Sequence, residues 1–427
     1  MMELVILLGV LLLLLALGVP VAFALLTASA AALLALDIPL AVSLQRMVAG
    51  ISVFSLMAIP FFIFAGDLMY RSGIAGRLVD IAEASLGRAR GGLGQVNIGA
   101  SMLFGAVSGS AIANVSAMGS TISPLMEKRG YDRDYAANVN ITAAIVGLLI
   151  PPSHNMIIYA AASGTGVSIG DLFLAGIIPG IVTGAMLMVV AWLVATKRGY
   201  PAGIFPGWRP FLRAVTFALP GLLTAVIIIG GILSGIFTAT ESSAVAVLYT
   251  IMVGVLVYRT IGYRKFVESA ISSIRITSMV LLIIGAAGSF GYVLAILEVP
   301  ADLASLINSA TDNPILVLLI INIILLLLGT FMDMSPLIVI TTPIFLPIVS
   351  ALGIDPVHFG VIMMLNLGIG LVTPPVGSVL FVGAAVGKIS VEETIRTIWP
   401  FYLTLILALM LISYIPSLSM ALPNLLN

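Results

Sequence analysis

Two runs in this chain place Gly, Pro-Pro and small polar residues inside apolar stretches. One carries Gly147, Pro151, Pro152, Ser153, His154 and Asn155; the other, 223 residues on, carries Gly370, Thr373, Pro374, Pro375, Gly377 and Ser378. Two further polar clusters interrupt apolar sequence: Ser108, Gly109, Ser110 and Asn114, and Gly329, Asp333 and Ser335. Proline rings remove backbone donors and push the preceding residue out of the α region, so each Pro-Pro must break a helix. Such backbone survives at membrane depth only where it lines a cavity within the protein. Helix ends that meet there offer N–H groups to a carboxylate and C=O groups to a small cation. Hydroxyl, amide and carboxylate oxygens are hard ligands that suit Na⁺. A proton-driven carrier would need a titratable relay, for which only Asp333 and His154 are placed, so Na⁺ is the expected coupling ion. His154 is read as a donor to a freed carbonyl. Asp67 and Glu241 are read as pairing or capping groups, Glu241 at a helix start after Thr238.

Composition requires a membrane around these sites. Of 427 residues, 61% are hydrophobic and 8% charged, and the mean hydropathy is +1.23. A chain in water could not bury so much apolar surface, which recurs in runs of membrane-spanning length. Cys is absent and only two His occur, which excludes disulfides and thiolate metal sites. Net charge is zero with no basic tract, so nucleic acid is not an expected partner. Lys388 ends a run reminiscent of a phosphate loop, but Val382 and Ile389 stand where Gly and Ser/Thr belong. No His-Glu-x-x-His or nucleophile elbow is present, and the chain reads as a non-enzyme needing no cofactor besides the coupling ion. The residues after Glu3 lack the basic region of a signal peptide and are read as a retained span.

Offsets of 222 or 223 residues relate Gly66 to Gly288, Pro124 to Pro347, Gly130 to Gly353 and Asp132 to Asp355. One unit therefore occurs twice, as residues 1–196 and 214–427, joined by a basic, Pro/Gly-rich linker at 197–213 that is read as a hinge. Basic residues mark the cytoplasmic side. Arg71, Arg77, Arg88 and Arg90 in one loop correspond to Glu298, Asp302 and Asp312 in the other half, so equivalent loops face opposite sides. The expected fold is an all-α polytopic membrane protein of two inverted-topology repeats. Each has five spans and one re-entrant helical hairpin. Spans are expected at 2–18, 20–36, 47–70, 136–163 and 172–196, then at 214–234, 241–258, 276–296, 358–387 and 396–420. The hairpins are expected at 95–126 and 314–349, and with the broken helices 136–163 and 358–387 they form the expected transport core. This arrangement puts both termini in the periplasm and all 18 Lys and Arg residues except Arg46 on the cytoplasmic side.

Several motifs together resemble the large membrane subunit, DctM or SiaM type, of TRAP transporters. In the first half they are Gly91-Gly92 with Gly94, Ser108-Gly109-Ser110, Glu127 to Asp132, Pro151-Pro152-Ser153, and Gly176 to Gly180. In the second they are Thr238 to Ala246, Gly329 to Asp333, and Thr373-Pro374-Pro375 with Gly377. The resemblance implies a tripartite, ATP-independent importer of an organic acid such as a C4-dicarboxylate, sugar acid or sialic acid. It implies a bacterial inner-membrane location, a Na⁺ gradient as driving force, a periplasmic substrate-binding protein, and a small four-helix membrane subunit. It also implies an elevator mechanism, and it carries the cation and substrate site onto the hairpin-tip and Pro-Pro residues named above. The Ser153-His154-Asn155 run departs from the more usual Pro-Pro-Ser-Ile type. The competing readings are a stand-alone anion exchanger or exporter of the same fold, a membrane scaffold, and a channel, though no ring of charges marks a pore.

Overall fold

A computed structural model describes residues 2–164, 166–203, 207–310 and 313–426. Asp312 and linker residues 204–206 lie outside the described residues. The first half comprises α1 (Met2–Ala16), α2 (Val21–Ala35), α3 (Ala41–Ile51), α4 (Ala58–Arg71), α5 (Ile74–Leu86), α6 (Gly92–Ser108), α7 (Ala111–Lys128), α8 (Arg133–Leu149), α9 (His154–Ser163) and α10 (Ile169–Lys197). The second comprises α11 (Trp208–Leu233), α12 (Ala239–Met252), α13 (Tyr263–Ile296), α14 (Val299–Ala310), α15 (Pro314–Gly329), α16 (Met334–Ala351), α17 (Pro356–Leu371), α18 (Ser378–Gly387), α19 (Val391–Thr397), α20 (Trp399–Tyr414) and α21 (Ser417–Leu426). Among the described residues, six helices are long and apolar enough to cross a membrane, or eight if each of two bent pairs is one span.

Several expected boundaries are corrected. The span expected at 47–70 is two pieces: α3 ends at Ile51, Val53 is extended, and a 3₁₀ turn at Phe54–Met57 leads into α4. The span expected at 276–296 begins thirteen residues earlier, at Tyr263. Its polar first turns are held by Glu268, which pairs with Arg264 at 2.9 Å and with Arg71 at 3.1 Å. The last expected span, 396–420, is divided into α19, α20 and α21, with a 62° bend between α19 and α20. Helices α5 and α14 occupy what the sequence presented as loops. These helices are amphipathic or short, and a search for long apolar runs passes over them. Both α1 and α2 have 15 residues, about 22 Å at 1.5 Å per residue, less than the hydrocarbon thickness of a typical bilayer.

Residues paired by the sequence offset have matching local roles. Gly130 and Gly353 are both left-handed, at φ +82° and +77°. Asp132 and Asp355 both stand at N-caps, of α8 and α17, and Pro124 and Pro347 both lie inside second hairpin arms. The linker is pinned at its start: Arg198 bonds Asp134 at 2.8 Å, and Tyr200 donates to Asp132 at 2.6 Å. Further along, Gly91 N–H donates to the Pro201 carbonyl at 3.2 Å.

The packing crosses between halves. Helices α6 and α7 pack on α8, and α15 and α16 on α17, while α7 also packs on α18 and α16 on α9. Each hairpin's second arm thus rests on the far piece of the other half's broken helix. Helix α13 packs on α2, α3 and α4, and α12 packs on α4 and α11; at this side Asp67 pairs with Arg71 at 2.6 Å and accepts from Ser272 at 3.3 Å.

Candidate functional site

The first hairpin turns at Gly109, which has φ +58° and caps α6. Ser110 then opens α7 as its N-cap, its Oγ accepting from the Ala113 N–H at 3.3 Å. This geometry needs glycine on two counts. Only a residue without Cβ adopts the left-handed conformation freely, and a Cβ at Gly109 would lie 2.6 Å from the Pro152 carbonyl oxygen. The turn therefore rests, backbone against backbone, on the break at Pro151 and Pro152, where α8 and α9 meet at 48°. A second close approach lies below it, since a Cβ on Gly105 would come within 2.2 Å of the Gly147 Cα.

The second hairpin has a related approach: a Cβ on Gly370 would lie 2.6 Å from Gly329 Cα. Its turn runs from Thr330 to Asp333, the N-cap of α16. The second break, Thr373 to Gly377, is fastened to this turn by the Val376 N–H, which donates to the Thr330 carbonyl at 3.1 Å. Thr373 Oγ1 bonds back to the Ile369 carbonyl at 2.7 Å, and the Tyr402 hydroxyl donates to the Val372 carbonyl. Both Pro-Pro bonds are cis.

The two hairpin turns and the first break meet at one cavity of about 60 Å³. Ser110, Ala111 and Ile112 line it from the start of α7, His154 and Asn155 from the start of α9, and Asp333, Met334 and Ser335 from the start of α16. Leu148 and Leu371 complete the wall. Three helix N-termini therefore converge, and their unsatisfied N–H groups and partial positive charge favour an anion. Asn155 ties the halves together: its Oδ1 accepts from Ser335 Oγ at 3.2 Å, and its Nδ2 meets Met334 Sδ at 3.3 Å.

Of the residues singled out from sequence, Ser110, Asn155, Asp333 and Ser335 line this cavity. Ser108, Gly109, Asn114, Pro151, Pro152, Ser153 and Gly329 do not appear in its wall, and neither do Thr373, Pro374, Pro375, Gly377 and Ser378 of the second break. His154 corrects its sequence reading: it lines the cavity, and among the described residues it bonds no freed carbonyl. In the hairpins and broken helices, Ser108 Oγ, Ser153 Oγ, Ser378 Oγ and the amide oxygens of Asn114, Asn140 and Asn366 are buried without a hydrogen-bond partner among the described residues. Unpaired buried oxygens are costly and call for an explanation. Oxygens of this kind are the ligand type an alkali cation takes. Asn140 and Asn366 escaped the sequence reading, which weighed only tips and breaks; a carboxamide inside an apolar helix was the available signal.

The DctM component family of the tripartite ATP-independent periplasmic transporters matches residues 8–418. The C4-dicarboxylate TRAP transporter large permease protein DctM of Pseudomonas aeruginosa is 43% identical over 371 residues, 87% of this chain and 86% of that one. The sialic acid TRAP transporter large permease protein SiaM of Vibrio cholerae is 40% identical over 409 residues, 96% and 95% of the two chains. Among solved structures, the Alcanivorax borkumensis YdaH transporter superposes with a TM-score of 0.63 at 14% identity, covering 86% of each chain, which is a likeness of fold alone. The length of the family match and the identity to these permeases establish that this chain belongs to the DctM family of TRAP transporter large permeases.

Proposed function

We propose that the chain is the permease subunit of a Na⁺-coupled symporter that imports an organic acid across the bacterial inner membrane. A periplasmic binding protein delivers the acid, and a small four-helix membrane subunit braces the permease. The observation that carries this reading is the meeting of both hairpin turns and the first Pro-Pro break at one cavity lined by three helix N-termini. The acid's carboxylate sits at those N-termini. Na⁺ is held by the unpartnered oxygens around Ser108, Asn114 and Ser153, and by their counterparts near Ser378 and Asn366. Coupling follows from the contact between Gly109 and Pro152, because a cation that draws these oxygens together also draws the turn onto the break and shapes the anion site. The hairpins and broken helices move as a core against the remaining spans, in two repeats of opposite orientation.

Relatives support the substrate class. Besides the dicarboxylate and sialic acid permeases, the 2,3-diketo-L-gulonate TRAP transporter large permease protein YiaN of Escherichia coli is 36% identical over 98% of each chain. The test is uptake of these acids into proteoliposomes holding the permease and its small partner, with and without binding protein and an inward Na⁺ gradient. Uptake that requires both is expected. Uptake that needs neither would indicate a stand-alone exchanger.

A further inference from the structure

His154 opens α9 and faces the cavity beside Asn155, Asp333 and Ser335. It is the one imidazole of this wall. Its neighbours are engaged: Asn155 and Ser335 bond each other at 3.2 Å, and Ser110 caps α7. The His154 ring has no hydrogen-bond or ion-pair partner among the described residues. His154 is partly buried and lines the cavity, so its ring N–H, next to three converging helix N-termini, is open to a ligand held there. The cavity holds about 60 Å³, room for about four waters, which is the space of an anionic head group with one or two further atoms. The rest of a larger acid must extend outward past Ile112, which is 41% exposed at the rim.

We infer that His154 is a specificity-determining contact that donates a ring N–H to the anionic head group of the transported acid. This rests on the organic-acid reading above. The imidazole supplies a directed donor at the side of the head group, where the helix N-termini supply a diffuse field. It thereby favours acids whose head group presents an oxygen to it.

The experiment is calorimetric titration of the purified permease with its small subunit, in NaCl, using succinate, sialic acid, 2,3-diketo-L-gulonate and isethionate. The variants are His154→Leu, His154→Phe and His154→Gln. Loss of a hydrogen bond to a charged group costs enough to weaken binding about tenfold or more. His154→Leu and His154→Phe should both show that loss for the acid the wild type binds best, and His154→Gln, which keeps an N–H donor, should recover most of it. Stabilisation of each variant by Na⁺ against heat reports on folding, and the phenyl variant preserves ring bulk if leucine does not fold. Wild-type affinity in the leucine or phenyl variant would overturn the assignment of His154 while leaving the organic-acid reading intact. An equal loss in all three variants would overturn it in favour of a packing role. Failure of the wild type both to bind any of the four acids and to take any of them up in the proteoliposome test with the binding protein present would sink the organic-acid reading and this contact with it.

Discussion

Substitution of Gly109 by alanine tests whether the contact between the first hairpin turn and the first break sets the cation site. Gly109 is left-handed at φ +58°, and its Cβ would lie 2.6 Å from the Pro152 carbonyl oxygen, roughly 1 Å inside ordinary van der Waals contact. Both partners are backbone, so no side chain can rotate away. The left-handed conformation costs an alanine about 1–2 kcal/mol, and overpacking adds about 1–3 kcal/mol. Gly130 separates the two terms. It has φ +82° with no atom within 4 Å of its Cβ position, so Gly130→Ala carries only the conformational cost. Thermal unfolding of both variants should show Gly109→Ala to be the less stable. In proteoliposomes, the Na⁺ concentration for half-maximal uptake should rise about tenfold or more in Gly109→Ala, matching the overpacking cost, and stay near the wild-type value in Gly130→Ala. Equal Na⁺ dependence in the two variants would refute the argument that this backbone contact shapes the cation site.

Asp333→Ala and Ser110→Ala should each change the acid concentration for half-maximal uptake with membrane insertion intact, since both groups line the cavity assigned to the carboxylate; an unchanged value in both would count against that assignment. Thr238 and Glu241 form a reciprocal cap at the start of α12, with Glu241 Oε2 accepting the Thr238 N–H at 2.8 Å. Thr238→Ala should therefore lower stability by about 1 kcal/mol, read by thermal unfolding, with Na⁺ activation preserved. Tyr200 provides a pH test at the linker: burial, reinforced by its hydrogen bond to Asp132, pushes the phenol up to about 12. A raised value means the folded chain holds the proton more tightly, so this contribution is complete below about pH 10, the ordinary phenol range, and is lost as pH rises towards 12. Tyr200→Phe should flatten the fall in thermal stability across that window, and an unchanged slope would remove the linker contact from the account.

Much of the site followed from local chemistry. Pro151-Pro152 and Pro374-Pro375 break their helices as ring geometry requires, and the turns at Gly109 and Asp333 fall where small and polar residues interrupt apolar sequence. Glu241 caps and Asp67 pairs, as their positions suggested. The amphipathic helices α3 and α5 were harder to see, because a helix with one polar and one apolar face leaves no long apolar run. The linker offered Pro and Gly, the composition of a hinge, yet Arg198 and Tyr200 tie its start to the first turn of α8 through residues more than sixty positions away.

Membrane embedding, the doubled pattern of glycines and prolines, the four interruptions and the family motifs are all properties of neighbouring residues, and partition into lipid or failure to continue a helix depends on little else. Which interruptions share a cavity depends on non-local packing. Helix α7 lies on α18, and α16 lies on α9, so the two hairpin turns reach the first break together. The second break is instead held against the Thr330 turn and takes no place in the cavity wall. Near-identical Pro-Pro motifs thus have different surroundings, because close backbone approaches such as Gly109 on Pro152 and Gly370 on Gly329 are set by how whole helices fit against one another.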